Sequence, residues 1–169
     1  MMRAILLSAA LLACAACSPA QQEQAKEPAA KATEVAEVER LSTPPAIALS
    51  PQEITYADLE KHDLFGVGCY FLDGAGEKAP MLFIAADEKG WLKLDGEIAE
   101  MSSDRSSKEL PYLSWSRYVG LARTVQLERN ANAARSTGPE TETAPGTITI
   151  RDERDRVVFK RSGAIECGA

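Results

Sequence analysis

Histidine occurs once in this 169-residue chain and cysteine four times, which leaves few ways to assemble a catalytic or metal centre. His62 stands in the charged run Glu60-Lys61-His62-Asp63. A general base needs a nucleophile or a substrate proton within reach, and usually an orienting partner. Asp63 is a neighbour in sequence only, so His62 reads as a surface residue at a helix end. Serines gather beside a lysine in Ser102-Ser103-Asp104-Arg105-Ser106-Ser107-Lys108, the two groups of a serine–lysine nucleophile pair. That composition is a flexible loop's, whereas catalysis needs a rigid site. Asp152-Glu153-Arg154-Asp155 has the oxygen density for calcium but lacks the aspartate spacing and glycine of a calcium loop. It reads as a solvated hairpin turn. No Gly-x-Ser-x-Gly, phosphate-binding glycine loop or dinucleotide fingerprint occurs. The expectation is a protein that is not an enzyme, with no metal and no cofactor.

Binding has more to work with. Tyr112, Trp115 and Tyr118 lie close together next to Pro111, interleaved with Arg117. Tyrosine, tryptophan and arginine are over-represented at interface hot spots. These four residues are a candidate interface. The competing reading is that the aromatics close one end of a small β core.

The N-terminus says where such a module works. Met1-Met2-Arg3 precedes an apolar run over residues 4–13, broken only by Ser8; this is the charged start and core of a secretory signal. At about ten residues the core is too short for the ~20 of a spanning helix. Leu11-Leu12-Ala13-Cys14-Ala15-Ala16-Cys17-Ser18 follows. Small residues directly before a cysteine resemble the lipobox of bacterial lipoproteins, in which the cysteine becomes the acylated N-terminus. Cys17, after Ala15-Ala16, is the favoured lipidation site. Cys14, after Leu11-Leu12-Ala13, is the alternative. Neither is followed by aspartate, so the resemblance implies the outer membrane, with the domain facing the periplasm. Cleavage after residue 16 removes only Arg3 among the charged residues and leaves 18 basic and 25 acidic, a net −7. That balance argues against nucleic acid as a partner. It leaves membrane attachment to the lipid, two or more acyl chains anchoring stably where one does not.

The domains expected are a signal peptide over residues 1–16, a lipidated tether over 17–45 and a β domain over 46–169. The tether is rich in Ala, Glu, Gln and Lys and holds Pro19, Pro28, Pro44 and Pro45; it cannot bury enough apolar surface to offset its ordering entropy. It spans roughly 30 Å root-mean-square. Val35, Val38 and Leu41 are spaced for a transient helix, but a solvated spacer is the better reading. Cys69 and Cys167 are an even pair in an oxidising compartment, and no Cys-x-x-Cys and no nearby histidine accompanies them. A disulfide between them is expected.

Several elements must position these groups. Ser50-Pro51-Gln52-Glu53 has the serine, proline and glutamate of a helix start, and Thr55 with Asp58 is a second cap. Ile54, Ala57, Leu59 and Leu64 would form the buried stripe of one short helix ending before Gly66. Strands are expected over residues 67–72, 81–86, 91–94 and 97–101, with Asp95-Gly96 as a tight hairpin turn. Residues 102–109 read as a polar loop. The longest strand candidate is residues 117–129, with Val119, Leu121, Val125 and Leu127 on one face and a bulge near Gly120 to re-aim Arg123. Residues 130–145 read as a second loop. Residues 147–151 and 156–160 make the last hairpin. Strands this frequent, without helices between them, predict a mainly β fold: a small antiparallel barrel or curved sheet with one N-terminal helix.

A lipobox, a tether and a β domain with cysteines near both ends resemble the membrane-bound inhibitors of C-type lysozyme. Ser116-Arg117-Tyr118 is similar to that family's Ser-Gly-x-x-Tyr segment but lacks the glycine and is one residue short, and the later Lys-Gly element is absent. The resemblance therefore implies architecture without the inhibitory residues. Phe65-Gly66-Val67-Gly68-Cys69, Lys93-Leu94-Asp95-Gly96, and Ile150-Arg151-Asp152 through Cys167-Gly168 also resemble small alphaproteobacterial lipoproteins, which implies no activity. The functional expectation is a lipid-anchored, non-catalytic binding or inhibitory module with an envelope protein as partner. An envelope structural or assembly lipoprotein without a soluble ligand is the alternative, and an enzyme comes third.

Overall fold

The computed structural model describes residues 37–38, 42–76 and 78–169. The expected signal peptide, both candidate lipidation cysteines Cys14 and Cys17, and most of the expected tether, including Val35 and Leu41, lie outside the described residues. The chain divides into Met1–Pro45 and Ala46–Ala169, and the architecture below is that of the second unit. No helix among the described residues is long and apolar enough to cross a membrane.

In chain order the unit holds helix α1 (Tyr56–His62), then strands β1 (Gly68–Leu72), β2 (Met81–Ala85), β3 (Lys89–Leu94), β4 (Glu97–Ser103), β5 (Glu109–Leu110), β6 (Ser114–Trp115), β7 (Arg117–Gly120), β8 (Arg123–Arg129), β9 (Arg135–Gly138), β10 (Thr141–Asp152) and β11 (Val157–Gly168). Eight of them close an antiparallel barrel in the order β1-β2-β3-β4-β7-β8-β10-β11, with β11 returning to pair with β1. β9 extends the ladder from the first half of β10, and β5 and β6 form a separate two-stranded hairpin.

Period-2 alternation fills the barrel. Phe71 faces Phe83 and Phe83 faces Leu92 across the ladders; Ile150 faces Val125 and Ile148 faces Leu127. All are buried in one cluster with Met101, Tyr118 and Ile165. Packing is tight enough to dictate a glycine: a Cβ at Gly90 would lie 2.6 Å from Phe83 Cζ and 2.8 Å from Tyr118 Cδ1. Those two rings meet edge to face, with centroids 5.3 Å apart, a favoured aromatic geometry. The interior is a core of side chains, as in other eight-stranded barrels of small bore.

The disulfide forms where the residue pattern placed it. Cys69 and Cys167 stand directly opposite each other on β1 and β11, their Cα atoms 4.0 Å apart. The bond therefore joins the first and last strands across the seam that closes the barrel.

The ends of the barrel differ. At one end, here the turn end, lie the connections through Asp95-Gly96, Leu121-Ala122 and residues 153–156. Residues 49–54 cross this end as an extended strap: Leu49 N–H donates to Val158 O at 2.9 Å, Gln52 N–H to Lys93 O at 2.9 Å, and Ile54 N–H to Met81 O at 2.7 Å. The helix start at Ser50-Pro51 is thereby overturned, because hydrogen bonds to three strands hold this segment extended. The second cap prevails. Thr55 and Asp58 form a reciprocal capping box, and Lys93 Nζ adds an ion pair to Asp58 at 2.7 Å. Of the expected stripe, Ile54 and Leu64 are buried against Ile84, with Leu59 packed beside them; Ala57 is exposed.

Three further expectations are corrected. Residues 117–129 are two strands, because Leu121 and Ala122 adopt φ of 53° and 54° and turn the chain back so that Gly120 pairs with Arg123. The turn reverses the inward parity: Tyr118 is buried inside, while Val119 and Leu121 are 45% and 55% exposed. No bulge is needed at Gly120. The loop expected over residues 130–145 carries a 3-10 turn (Ala131–Ala133), β9 and the start of β10. Pro145 lies where β10 changes neighbour from β9 to β8. The last hairpin continues well past Lys160, to Gly168.

Candidate functional site

The opposite end, here the plug end, is closed by side chains. The β5–β6 hairpin folds over it and buries Leu110 and Ser114 among Cys69, Cys167 and Tyr118. The Ser114 hydroxyl donates to Pro111 O at 2.8 Å and lies 3.0 Å from the Cys69 sulfur. Tyr118 pins the base of the hairpin from inside the barrel. Its hydroxyl donates to Ala86 O at 2.7 Å and accepts from Trp115 N–H at 3.0 Å. Burial, and secondarily the charge of Asp87, push this phenol up to about 12, outweighing the Trp115 hydrogen bond that acts the other way. Trp115 Nε1 donates to Asp87 at 3.3 Å. The hairpin base is thus tied to the barrel at three points, through Cys69, Tyr118 and Asp87.

The tip is Pro111-Tyr112-Leu113. Tyr112 and Leu113 both adopt φ of 55°, a region that disfavours side chains with a Cβ by about 1–2 kcal/mol per residue. Leu113 is 63% exposed. An apolar side chain is therefore held out into solvent on a strained turn above a fixed base, and strain of this kind clusters at functional sites.

Beside the hairpin, β8 delivers a third inward residue after Val125 and Leu127. Arg129 enters the barrel mouth with its side chain 4% exposed, and its Nη2 meets Glu142 Oε1 at 2.8 Å. The Arg129 Nε is buried without a hydrogen-bond partner. A hollow of about 340 Å³ opens here, lined by Lys108, Glu109, Leu110, Pro111, Arg129 and Ala131.

The four residues of the expected interface separate into two groups. Tyr118 is wholly buried and serves the core, so it cannot belong to a surface patch. Tyr112 and Trp115 are half-buried and pack against that core. Arg117 lies outside, 3.6 Å from Asp104. The exposed apolar residue of the region, Leu113, was not singled out from sequence, because an isolated leucine after a proline and a tyrosine carries no signal of its strained conformation. Arg129 had a signal: it continues the alternation of Val125 and Leu127. Glu142 had none while its segment read as a loop.

The other chemical candidates sit apart. His62 is exposed in the last turn of α1. The serine-rich segment is ordered as a turn in which Asp104 accepts from the Ser106 hydroxyl and N–H, contacts that hold its carboxyl below the ordinary range. Asp152 accepts from the Arg156 guanidinium at 2.8 Å and from the N–H groups of Arg154 and Arg156. These bonds lower its pKa and occupy the oxygens a cation would need. Among the described residues no group of three or more His, Cys, Asp or Glu is placed to hold a metal.

Comparison with known proteins finds no matching family model, no matching curated protein and no matching solved structure.

Proposed function

We propose that this chain is a lipid-anchored, non-catalytic binding module of the bacterial cell envelope that docks a protein partner through the tip of its plug hairpin. The anchor would be Cys17, with Cys14 as the alternative, and the membrane the outer membrane seen from the periplasm. A lipobox-like N-terminus supports the location, as does a disulfide of the kind that persists in oxidising compartments. The filled barrel interior favours recognition by the outer surface over a ligand held in the lumen. The observation that carries the reading is Leu113: 63% exposed at φ 55°, projecting from a hairpin the barrel ladder does not need for closure. A rigid protrusion with an apolar tip suits a concave site on a partner, and a preordered loop loses little entropy on binding.

The test places a photo-crosslinking amino acid at Leu113 in the native cells, and a second at Glu153 on the turn end as control. One dominant protein adduct from position 113, absent from position 153, is the expected result. Equal adduct patterns from both positions would sink the docking reading. Intact mass of the same protein should show the lipid on Cys17, retained in Cys14→Ser and lost in Cys17→Ser; the reverse pattern would move the anchor to Cys14.

A further inference from the structure

We infer that the hollow beside the plug hairpin is a binding site for a small organic monocarboxylate, received by the Arg129 guanidinium. A guanidinium offers five N–H donors in a planar fork. Arg129 uses one, to Glu142, although its side chain is 4% exposed. Its Nε is buried without a partner and out of a ligand's reach, so the donors left to one are those of the terminal Nη groups, on a guanidinium whose hydrogen bonding is incomplete. A planar carboxylate matches the guanidinium fork. Lys108, an exposed residue, also lines the hollow and makes no ion pair among the described residues.

The rest of the lining narrows the ligand. Glu109 also lines the hollow and Glu142 is paired with Arg129, so two cations are balanced by two carboxylates. A formally neutral lining disfavours a dianion such as phosphate more than a monoanion, which the Arg129 fork can hold by hydrogen bonds. Leu110, Pro111 and Ala131 supply apolar walls, which suit a ligand with a hydrocarbon body. A volume of about 340 Å³ falls at the lower end of small-molecule sites, enough for a ring or a short chain. This site does not depend on a protein partner at the Leu113 tip, and the two fail separately.

The test titrates the full chain with sodium benzoate, sodium hexanoate and N-acetylalanine, following backbone amides by NMR, with sodium chloride and inorganic phosphate in parallel. Saturable shifts centred on Leu110, Arg129 and Ala131 are expected with at least one carboxylate and with neither control anion. Lys108→Gln, at an exposed position, should weaken binding about 2–5-fold, the range for a surface charge pair. Arg129→Lys keeps the charge but loses the fork and should weaken it about tenfold. Glu142→Gln removes the competing carboxylate and should tighten it, an outcome that a purely structural role for Arg129 does not produce. Absence of saturation with all three carboxylates, an equal response to phosphate, or affinity unchanged in Lys108→Gln and Glu142→Gln would overturn the proposal.

Discussion

The two ends of the barrel are closed by different chemistry. At the turn end the strap of residues 49–54 satisfies its backbone donors on β11, β3 and β2, and the Gln52 side chain accepts from Gly96 N–H at 2.6 Å. At the plug end the closing groups are side chains, from Leu110 and Ser114 over the disulfide to Tyr118 and the Arg129–Glu142 pair. Among the described residues, no buried side-chain polar atom of the strap lacks a partner. Side-chain closure leaves Arg129 Nε buried and unpartnered. Strain alone does not separate the ends, since Leu121 and Ala122 are as left-handed as Tyr112 and Leu113. The difference is purpose. The Leu121-Ala122 turn joins two barrel strands and is needed for the ladder, whereas the hairpin bearing Leu113 lies outside it. Strain and an orphaned donor at the plug end bring no gain to the barrel's hydrogen bonding, and strain of that kind supports the proposed docking role.

The comparison breaks first at the disulfide. Replacing Cys69 and Cys167 by serine releases a loop of 98 residues and should lower stability by about 4.7 kcal/mol in the chain-entropy account, read by urea unfolding. Amide exchange should quicken first at the plug end, around Tyr70 and Glu166 beside the bond, and later at Gln52 and Ile54; the opposite order would mean that the strap is the weaker closure. Gly90→Ala should cost about 1–3 kcal/mol, since its Cβ would press on two packed rings and overpacking is destabilising. An unchanged melting temperature would show that the interior has spare room.

Tyr118 gives the plug end its own pH dependence. Its pKa is raised from 10.0 to about 12 in the fold, so the native state favours the neutral phenol. That contribution is complete below pH 10, declines as pH rises toward 12 and is gone above it. Tyr118→Phe should abolish this alkaline loss while lowering neutral-pH stability by about 1–3 kcal/mol, because Trp115 N–H and Ala86 O lose their partner. The smallest effect is the most discriminating. Replacing Leu121-Ala122 by Asn-Gly should raise stability by about 1 kcal/mol by relieving left-handed strain, whereas at Tyr112-Leu113 the same relief is offset by the loss of Tyr112's packing on the core. Only the second replacement should abolish docking, scored as loss of an adduct formed by a photo-crosslinking residue at Tyr118's neighbour Arg117. Docking that survives it would remove the distinction between the two ends.

Wherever neighbours in sequence decide the conformation, the residues declare it. Asp95-Gly96 turns as expected, with φ of 50° and 84°, because both residue types tolerate the left-handed region. Thr55 and Asp58 cap α1 through bonds three residues apart. Compact apolar runs closed by turn residues became β1 and β2, the alternating run before Asp95-Gly96 and the run returning from it became β3 and β4, and an even cysteine pair in the first and last strands became the disulfide. What the tertiary structure decided are matters of which distant segments meet. No local preference asks Leu121 and Ala122 to turn; the pairing of Arg117–Gly120 with β8 does, and it moves Tyr118 from a candidate surface into the core. Ser50-Pro51 is a sound helix start until three strands claim the backbone donors around it. Arg129 and Glu142 are 13 positions apart and meet only because β8 and β10 are barrel neighbours. Propensity and alternation act over a few residues, whereas ring closure is a property of the whole chain, and the plug end exists only once the ring has closed.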